Sequence, residues 1–173
     1  MAKSWVEQYE KEPYLPMDDA DVWAFLESPS VRTMAMATVG KDGMPSNSII
    51  WFFSRERRIY FKAYKKPMRK KTRDILNFPW VSCTVDNQMD GFDQFGVTIL
   101  GKARPIEGQD EIDEFQRHFY AKCMASGDEE RHAEARAKFR TEHVKAEHAF
   151  FEIVPEKVFS WDRRKWLTLL GEA

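Results

Sequence analysis

The sequence predicts an α+β fold that is mainly β, an antiparallel barrel with helices at its side. Six or seven strand-like segments are spread along the chain, and helical spacing is confined to a few separate segments. Strands and helices do not alternate in the way that predicts a parallel sheet. With 173 residues, 43% of them hydrophobic, the chain has the size and composition of one packed domain.

The N-terminal half is predicted to contain an arm, a helix and three strands. Residues 1–16 are polar and charged and form the arm, whereas Val22, Phe25 and Leu26 share one face of a short helix. The predicted strands are residues 31–39, 44–53 and 59–63, with a hairpin turn at Gly40–Gly43 and a second turn at 54–58.

The C-terminal half is predicted to contain more strands and a long helical section. A surface helix at 66–78 ends before Pro79, because proline does not continue a helix. The elements that follow are strands at 80–85 and 94–104, a helical section at 110–145, and two last strands, 149–154 and 158–161, around Pro155. The domain therefore spans residues 17–165 and includes the helical section, and residues 166–173 form a tail.

Charge and cysteine content narrow the class of protein. A net charge of −1 predicts no general attraction to nucleic acid. Cys83 and Cys123 are too few for a disulfide scaffold and are expected to be unpaired. The N-terminus lacks a signal-peptide pattern, and no apolar segment is long enough to span a membrane, so we expect a cytoplasmic protein without membrane contact.

A basic cluster between Arg55 and Arg73 is the sharpest local feature, with ten basic residues and one acid in 19 positions. Its position between a strand and a helix suits a phosphate, since cations there meet the positive end of a helix. Charge alone favours a solvated basic surface. A nucleic-acid groove is the third interpretation, because aromatic residues are interleaved, but no recognition motif accompanies them.

Other motifs indicate little chemistry. The sequence contains neither a dinucleotide-binding glycine motif nor a phosphate-binding loop. His143 and His148 are five residues apart, which is the wrong spacing for two metal ligands on one helix face. No metal site is predicted.

Three sequence features together resemble the pyridoxamine 5'-phosphate oxidase-like, FMN-binding split-barrel family. The first is a basic pair followed by Ile, Asn and Pro; the second is a glycine within a long strand; the third is a late P-x-x-V-x-x-W motif. In this chain they are Lys70, Lys71, Ile75, Asn77 and Pro79, then Gly101, then Pro155–Trp161. The similarity extends from about Val31 to Lys165, and the helical section is its least typical part.

The resemblance implies a six-stranded split barrel that forms a homodimer, with FMN in a groove between the subunits. It implies flavin contacts from the second strand, from the end of the third strand and from the basic pair, which holds the phosphate, and from an aromatic residue of the partner subunit. Carried over, these are Asn47, Ser48, Ile49, Ile50, Trp51, Phe61, Lys62, Lys70 and Lys71, with Trp161 of the partner subunit.

Departures from the oxidase itself shape the predicted function. Ser48 stands where the oxidase has a basic residue, Phe53 replaces another, and of its C-terminal arginine motif only Arg163 and Arg164 lie nearby. We therefore expect a flavin-dependent oxidoreductase acting on an unidentified small molecule, with no catalytic side chain identified. The alternatives are a reductase that uses the deazaflavin coenzyme, which also carries phosphate, and a non-catalytic flavin- or haem-binding protein.

Overall fold

Six antiparallel strands close into a barrel in the computed structural model, which describes residues 15–89, 91–124 and 147–171. The strands are β1 (Thr33–Val39), β2 (Pro45–Arg55), β3 (Arg58–Lys66), β4 (Trp80–Asp86), β5 (Phe95–Ile106) and β6 (Glu147–Asp162). Their order around the barrel is β1-β2-β3-β6-β5-β4. This confirms the predicted six-stranded barrel.

Four α-helices accompany the strands in the described residues. They are α1 (Asp19–Glu27), α2 (Lys70–Asn77), α3 (Gln109–Phe119) and α4 (Arg164–Leu170). A π-helical turn, Tyr120–Met124, continues α3, and a short 3-10 turn, Gly91–Asp93, precedes β5. The predicted arm lies outside the described residues up to position 14, and so does the predicted helical section beyond position 124.

Alternation of side chains between the two faces of each strand builds the barrel core. In β1 the inward residues Met34 and Met36 are buried, and in β3 the inward Phe61 stacks on Phe151 of β6 with ring centroids 5.1 Å apart. Helix α1 adds Leu26 to this core and α2 adds Ile75. Both helices therefore pack directly on the barrel.

A second, smaller apolar cluster lies outside the barrel, beneath α3. Phe115 and Phe119 of α3 pack with Phe53 of β2 and Ile106 of β5. Cys123 joins this cluster, and it and Cys83 are both buried and unpaired. The α3 helix therefore covers part of the outer surface of the sheet.

The two predicted last strands are one strand, β6. Pro155 does not end it, because Pro155 faces Gly101 of β5 at a bulge where the pairing shifts by one residue. A Cβ atom at Gly101 would lie 2.4 Å from the carbonyl oxygen of Val154, so only glycine allows β5 and β6 to approach here. A proline at a bulge removes no regular ladder hydrogen bond.

Other boundaries also differ from the expectations. The predicted turn at 54–58 shrinks to Glu56 and Arg57, both with positive φ, as a tight two-residue hairpin requires. Strands β2 and β3 are correspondingly longer, and the predicted tail contains most of α4, which begins at Arg164. No helix among the described residues has the length and apolar character needed to cross a membrane.

Candidate functional site

The sheet opens between β2 and β3, and this opening organises the candidate site. The two strands pair only where Phe52–Arg55 faces Arg58–Phe61. Beyond that point residues 45–51 of β2 pair with β1, and residues 62–66 of β3 pair with β6. We call the space between residues 45–51 and 62–66 the groove.

Helix α2 lies at the groove and is bonded to both of its sides. Lys71 Nζ donates to Ser48 Oγ on β2 at 3.2 Å, and Thr72 Oγ1 donates to the carbonyl oxygen of Tyr64 on β3 at 3.0 Å. Arg69 also places its guanidinium over the Tyr64 ring. The predicted basic pair therefore lies where the two strands separate.

The predicted residues of β2 divide between its two faces, since successive side chains in a strand point to opposite sides. Ser48 and Ile50 point inward, and Ile50 belongs to the barrel core. Asn47, Ile49 and Trp51 point outward, with Ile49 68% and Trp51 43% exposed. Ile49 and Trp51 offer a ligand an apolar surface, and the inward Ser48 faces the basic helix.

The Lys62 side chain of β3 also points outward from the barrel. Its ammonium lies over the ring of Phe119 at 4.5 Å and over that of Tyr120 at 5.2 Å, and the Phe119 ring lies 6.4 Å from the Trp51 ring. Burial lowers the pKa of Lys62 to about 8. Phe61, its neighbour, is fully buried in the core, so a ligand contact there would come from backbone atoms.

The basic pair has two different environments. Lys70 Nζ donates to the buried carboxylate of Asp74 at 2.7 Å, and Thr38 Oγ1 donates to the same oxygen at 3.0 Å. Burial raises the pKa of Asp74, but the hydrogen bonds from Lys70 and Thr38 outweigh it and hold that pKa below its usual range. Burial, helped by the charge of Arg69, lowers the pKa of Lys71.

Trp161 lies elsewhere in the same chain. It pairs with Gly96 at the β5–β6 ladder, and its ring occupies the space that a side chain at Gly96 would need, 2.4 Å from an added Cβ atom. The predicted residues of β2, β3 and α2 therefore lie around the groove or in the strands that form it. Trp161 instead lies on β6, where it pairs with β5.

A search with family models decides the family of the chain. The model described as pyridoxamine 5'-phosphate oxidase matches residues 19–162. The chain belongs to this family. No curated protein sequence matches it significantly.

Several solved structures have the same fold as this chain. A conserved hypothetical protein from Mycobacterium tuberculosis superposes with a TM-score of 0.71 at 21% identity, covering 90% of this chain and 91% of the other. A FAD-binding protein from Mesorhizobium loti gives a TM-score of 0.61 at 18% identity, covering 84% and 93%. A FAD-binding protein from Mycobacterium smegmatis gives 0.58 at 15%, covering 84% and 95%.

Sequence reasoning missed four residues of the site in this family member. Asp74 accepts hydrogen bonds from Lys70 and from Thr38, and Phe119 and Tyr120 lie under Lys62. The i, i+4 spacing of Lys70 and Asp74 on a predicted helix was an available signal for the first contact. No local signal places the end of α3 beside β3, because that contact depends on tertiary packing.

A separate cleft of about 560 Å³ lies near α1 and the β4–β5 connection. Phe25 and Phe95 meet edge to face on its wall, and the Arg164 guanidinium lies 4.0 Å from the centre of the Phe95 ring. Arg164 is held there by Asp162, to which it donates from Nε and Nη2, both at 2.8 Å. No site residue was predicted here.

Proposed function

We propose that this chain binds FMN in the groove and acts as a flavin-dependent oxidoreductase on a small molecule, as a cytoplasmic homodimer. The observation that carries the proposal is the placement of the Lys71 ammonium at the start of α2, beside the inward Ser48 of β2, the strand whose outer face exposes Ile49 and Trp51. A cation and an apolar surface at one opening suit a molecule with a phosphate and a planar ring.

The start of α2 fits a phosphate group. Arg69, Lys70 and Lys71 surround the first turn of an eight-residue helix whose free backbone N–H groups favour an anion. Among the described residues, Lys71 forms no salt bridge with a carboxylate, so its charge is available to a ligand. The hydroxyl of Ser48, 3.2 Å from Lys71, is a further polar partner.

The outer face of β2 fits the flavin ring and a second subunit. Ile49 and Trp51 are exposed, and their neighbours across the strand pair, Ala35 and Thr33, are small. Large exposed apolar side chains on a flat sheet face are typical of an interface. In the proposed dimer, Trp161 of the partner subunit completes the ring site, as the family resemblance implies.

When bound, the flavin supplies the redox chemistry. The residues of this chain bind and orient it: Lys71 holds the phosphate, Trp51 packs against the ring, and Lys62 presents a positive charge beside it. The two FAD-binding structural neighbours support a flavin in this fold. Riboflavin, FAD and the deazaflavin coenzyme therefore belong in the test beside FMN.

Flavin titration of the purified protein tests the proposal. We expect FMN fluorescence to be quenched on binding, and NAD(P)H to be oxidised when an acceptor is present. Trp51→Ala should weaken FMN and riboflavin alike by about three- to tenfold, the value of one aromatic contact. Trp80→Ala is the matched control, because Trp80 is 37% exposed but lies on β4.

The outcomes separate the alternatives. Binding of the deazaflavin coenzyme but not of FMN would show that the proposed cofactor is wrong and the proposed binding site is right. An intense Soret band with added haem, without flavin binding, would indicate a haem protein. A protein that binds no flavin but retards oligonucleotides in a gel would contradict the proposal.

A further inference from the structure

We infer that the two adjacent lysines have different roles: Lys71 holds the phosphate, and Lys70 is a positioning residue that, with Asp74, fixes α2 on the barrel. The inference rests on the proposed function and deepens it, because it states which charge of the basic pair is available to the ligand.

Asp74 neutralises Lys70. Its carboxylate is buried, and it accepts hydrogen bonds from Lys70 Nζ at 2.7 Å and from Thr38 Oγ1 at 3.0 Å. Thr38 in turn lies 3.1 Å from Ser46 Oγ. A buried carboxylate without a cation is costly, so Lys70 is held in this pair. At the distance of a bound phosphate, the pair contributes nearly no net charge.

The position of Lys70 supports this separation of roles. A Cβ atom added to Gly40 would lie 3.2 Å from Lys70 Nζ, so the lysine reaches the turn between β1 and β2. Gly40 is buried and leaves room for the ammonium. Lys70 therefore joins the first turn of α2 to the end of β1, through Asp74 and Thr38.

Lys71 has the opposite character. Its one hydrogen bond to a described residue is to the neutral hydroxyl of Ser48, and no described carboxylate pairs with it. Arg69, two positions earlier, is exposed and packs on Tyr64. An anion arriving at the start of α2 therefore meets the uncompensated charge of Lys71, which the anchoring of Lys70 holds in place.

Comparing FMN with riboflavin isolates the phosphate contribution, because riboflavin has the same ring without the phosphate. We expect Lys71→Gln to weaken FMN binding by about tenfold and to leave riboflavin binding unchanged. Lys157→Gln, at an exposed position of β6, is the control and should change neither affinity.

The double variant Lys70→Gln/Asp74→Asn removes the whole pair without leaving a buried charge unpaired, so it is expected to fold. Its FMN affinity should stay within about threefold of the wild type, because the two new amide side chains can still hydrogen-bond to each other and anchor α2, and no net charge is lost. A loss as large as that of Lys71→Gln, confined to FMN, would overturn the inference while leaving flavin binding intact. Failure of the wild type to bind FMN would overturn both the proposed function and the inference.

Discussion

Replacement of Glu152 by Gln is expected to destabilise the barrel, because one buried carboxylate joins three strands. The Glu152 side chain is 3% exposed and lies on β6. It accepts from Arg58 Nη1 at 2.6 Å and from Tyr60 hydroxyl at 3.1 Å, both on β3, and from Arg104 Nε on β5. The contact therefore crosses both ladders of β6.

The expected loss at neutral pH is about 2–3 kcal/mol. A hydrogen bond to a charged group contributes about 1.5–3 kcal/mol, but both arginines are partly exposed and water screens their charge. Glu156→Gln is a matched control on the same strand, since Glu156 is 43% exposed and pairs with Lys102 at 2.9 Å. An exposed pair of this kind is worth about 0–1 kcal/mol.

The effect of Glu152→Gln should depend on pH. Burial raises the pKa of Glu152, but the hydrogen bonds from Arg104 and Arg58 outweigh it and hold the pKa below the ordinary value. The ionised carboxylate therefore stabilises the fold above its unfolded-state pKa of about 4.3, and this stabilisation is lost as the pH falls through the lower folded-state pKa. The difference between wild type and variant should shrink in that acidic range.

Urea denaturation at pH 7 and at stepwise lower pH measures this difference. Urea is preferred to guanidinium because added salt screens charges. The reasoning is refuted if Glu152→Gln costs no more than Glu156→Gln at pH 7. It is also refuted if the cost stays constant as the pH is lowered past the unfolded-state value.

Three further predictions concern the β5–β6 ladder, the Lys62 amine and the proposed subunit interface. Gly96→Ala should lower the free energy of unfolding by about 1–3 kcal/mol and shift tryptophan fluorescence, because the new methyl group would clash with the Trp161 ring. A melting curve identical to that of the wild type would contradict this prediction. The Lys62 amine should titrate near pH 8. NMR of methylated lysines should show this titration, and Lys62→Gln should remove the signal. A Lys62 resonance that titrates near pH 10 would contradict the prediction. Ile49→Asp should convert the proposed dimer to a monomer in light scattering, and Val158→Asp should not; a dimer that persists in Ile49→Asp would move the interface elsewhere.

The barrel was predictable because each strand is marked by its own run of strand-forming residues and by the turn residues beside it. The strand predicted at residues 31–39, for example, is β1 (Thr33–Val39) in the structure. The single β6 strand was not predictable, since Pro155 reads as a break until Gly101 is known to face it. Ser54 read as part of a turn, yet it is a buried residue of β2.

The sequence predicts a set of candidate site residues but not how they are arranged in space. The family resemblance named Ser48 and Trp51 together, whereas strand alternation places them on opposite faces of β2. The basic pair was named as one unit, whereas Asp74 distinguishes Lys70 from Lys71. Contacts such as Lys62 with Phe119 join distant parts of the chain and need the tertiary structure.

A crystal structure of the protein grown with FMN tests the central claim most directly. The account predicts the phosphate at Lys71 and the start of α2, the ring beside Trp51 in the groove, and Trp161 of the partner subunit closing the site. Flavin density in the cleft beside Arg164, or a phosphate remote from Lys71, would contradict it.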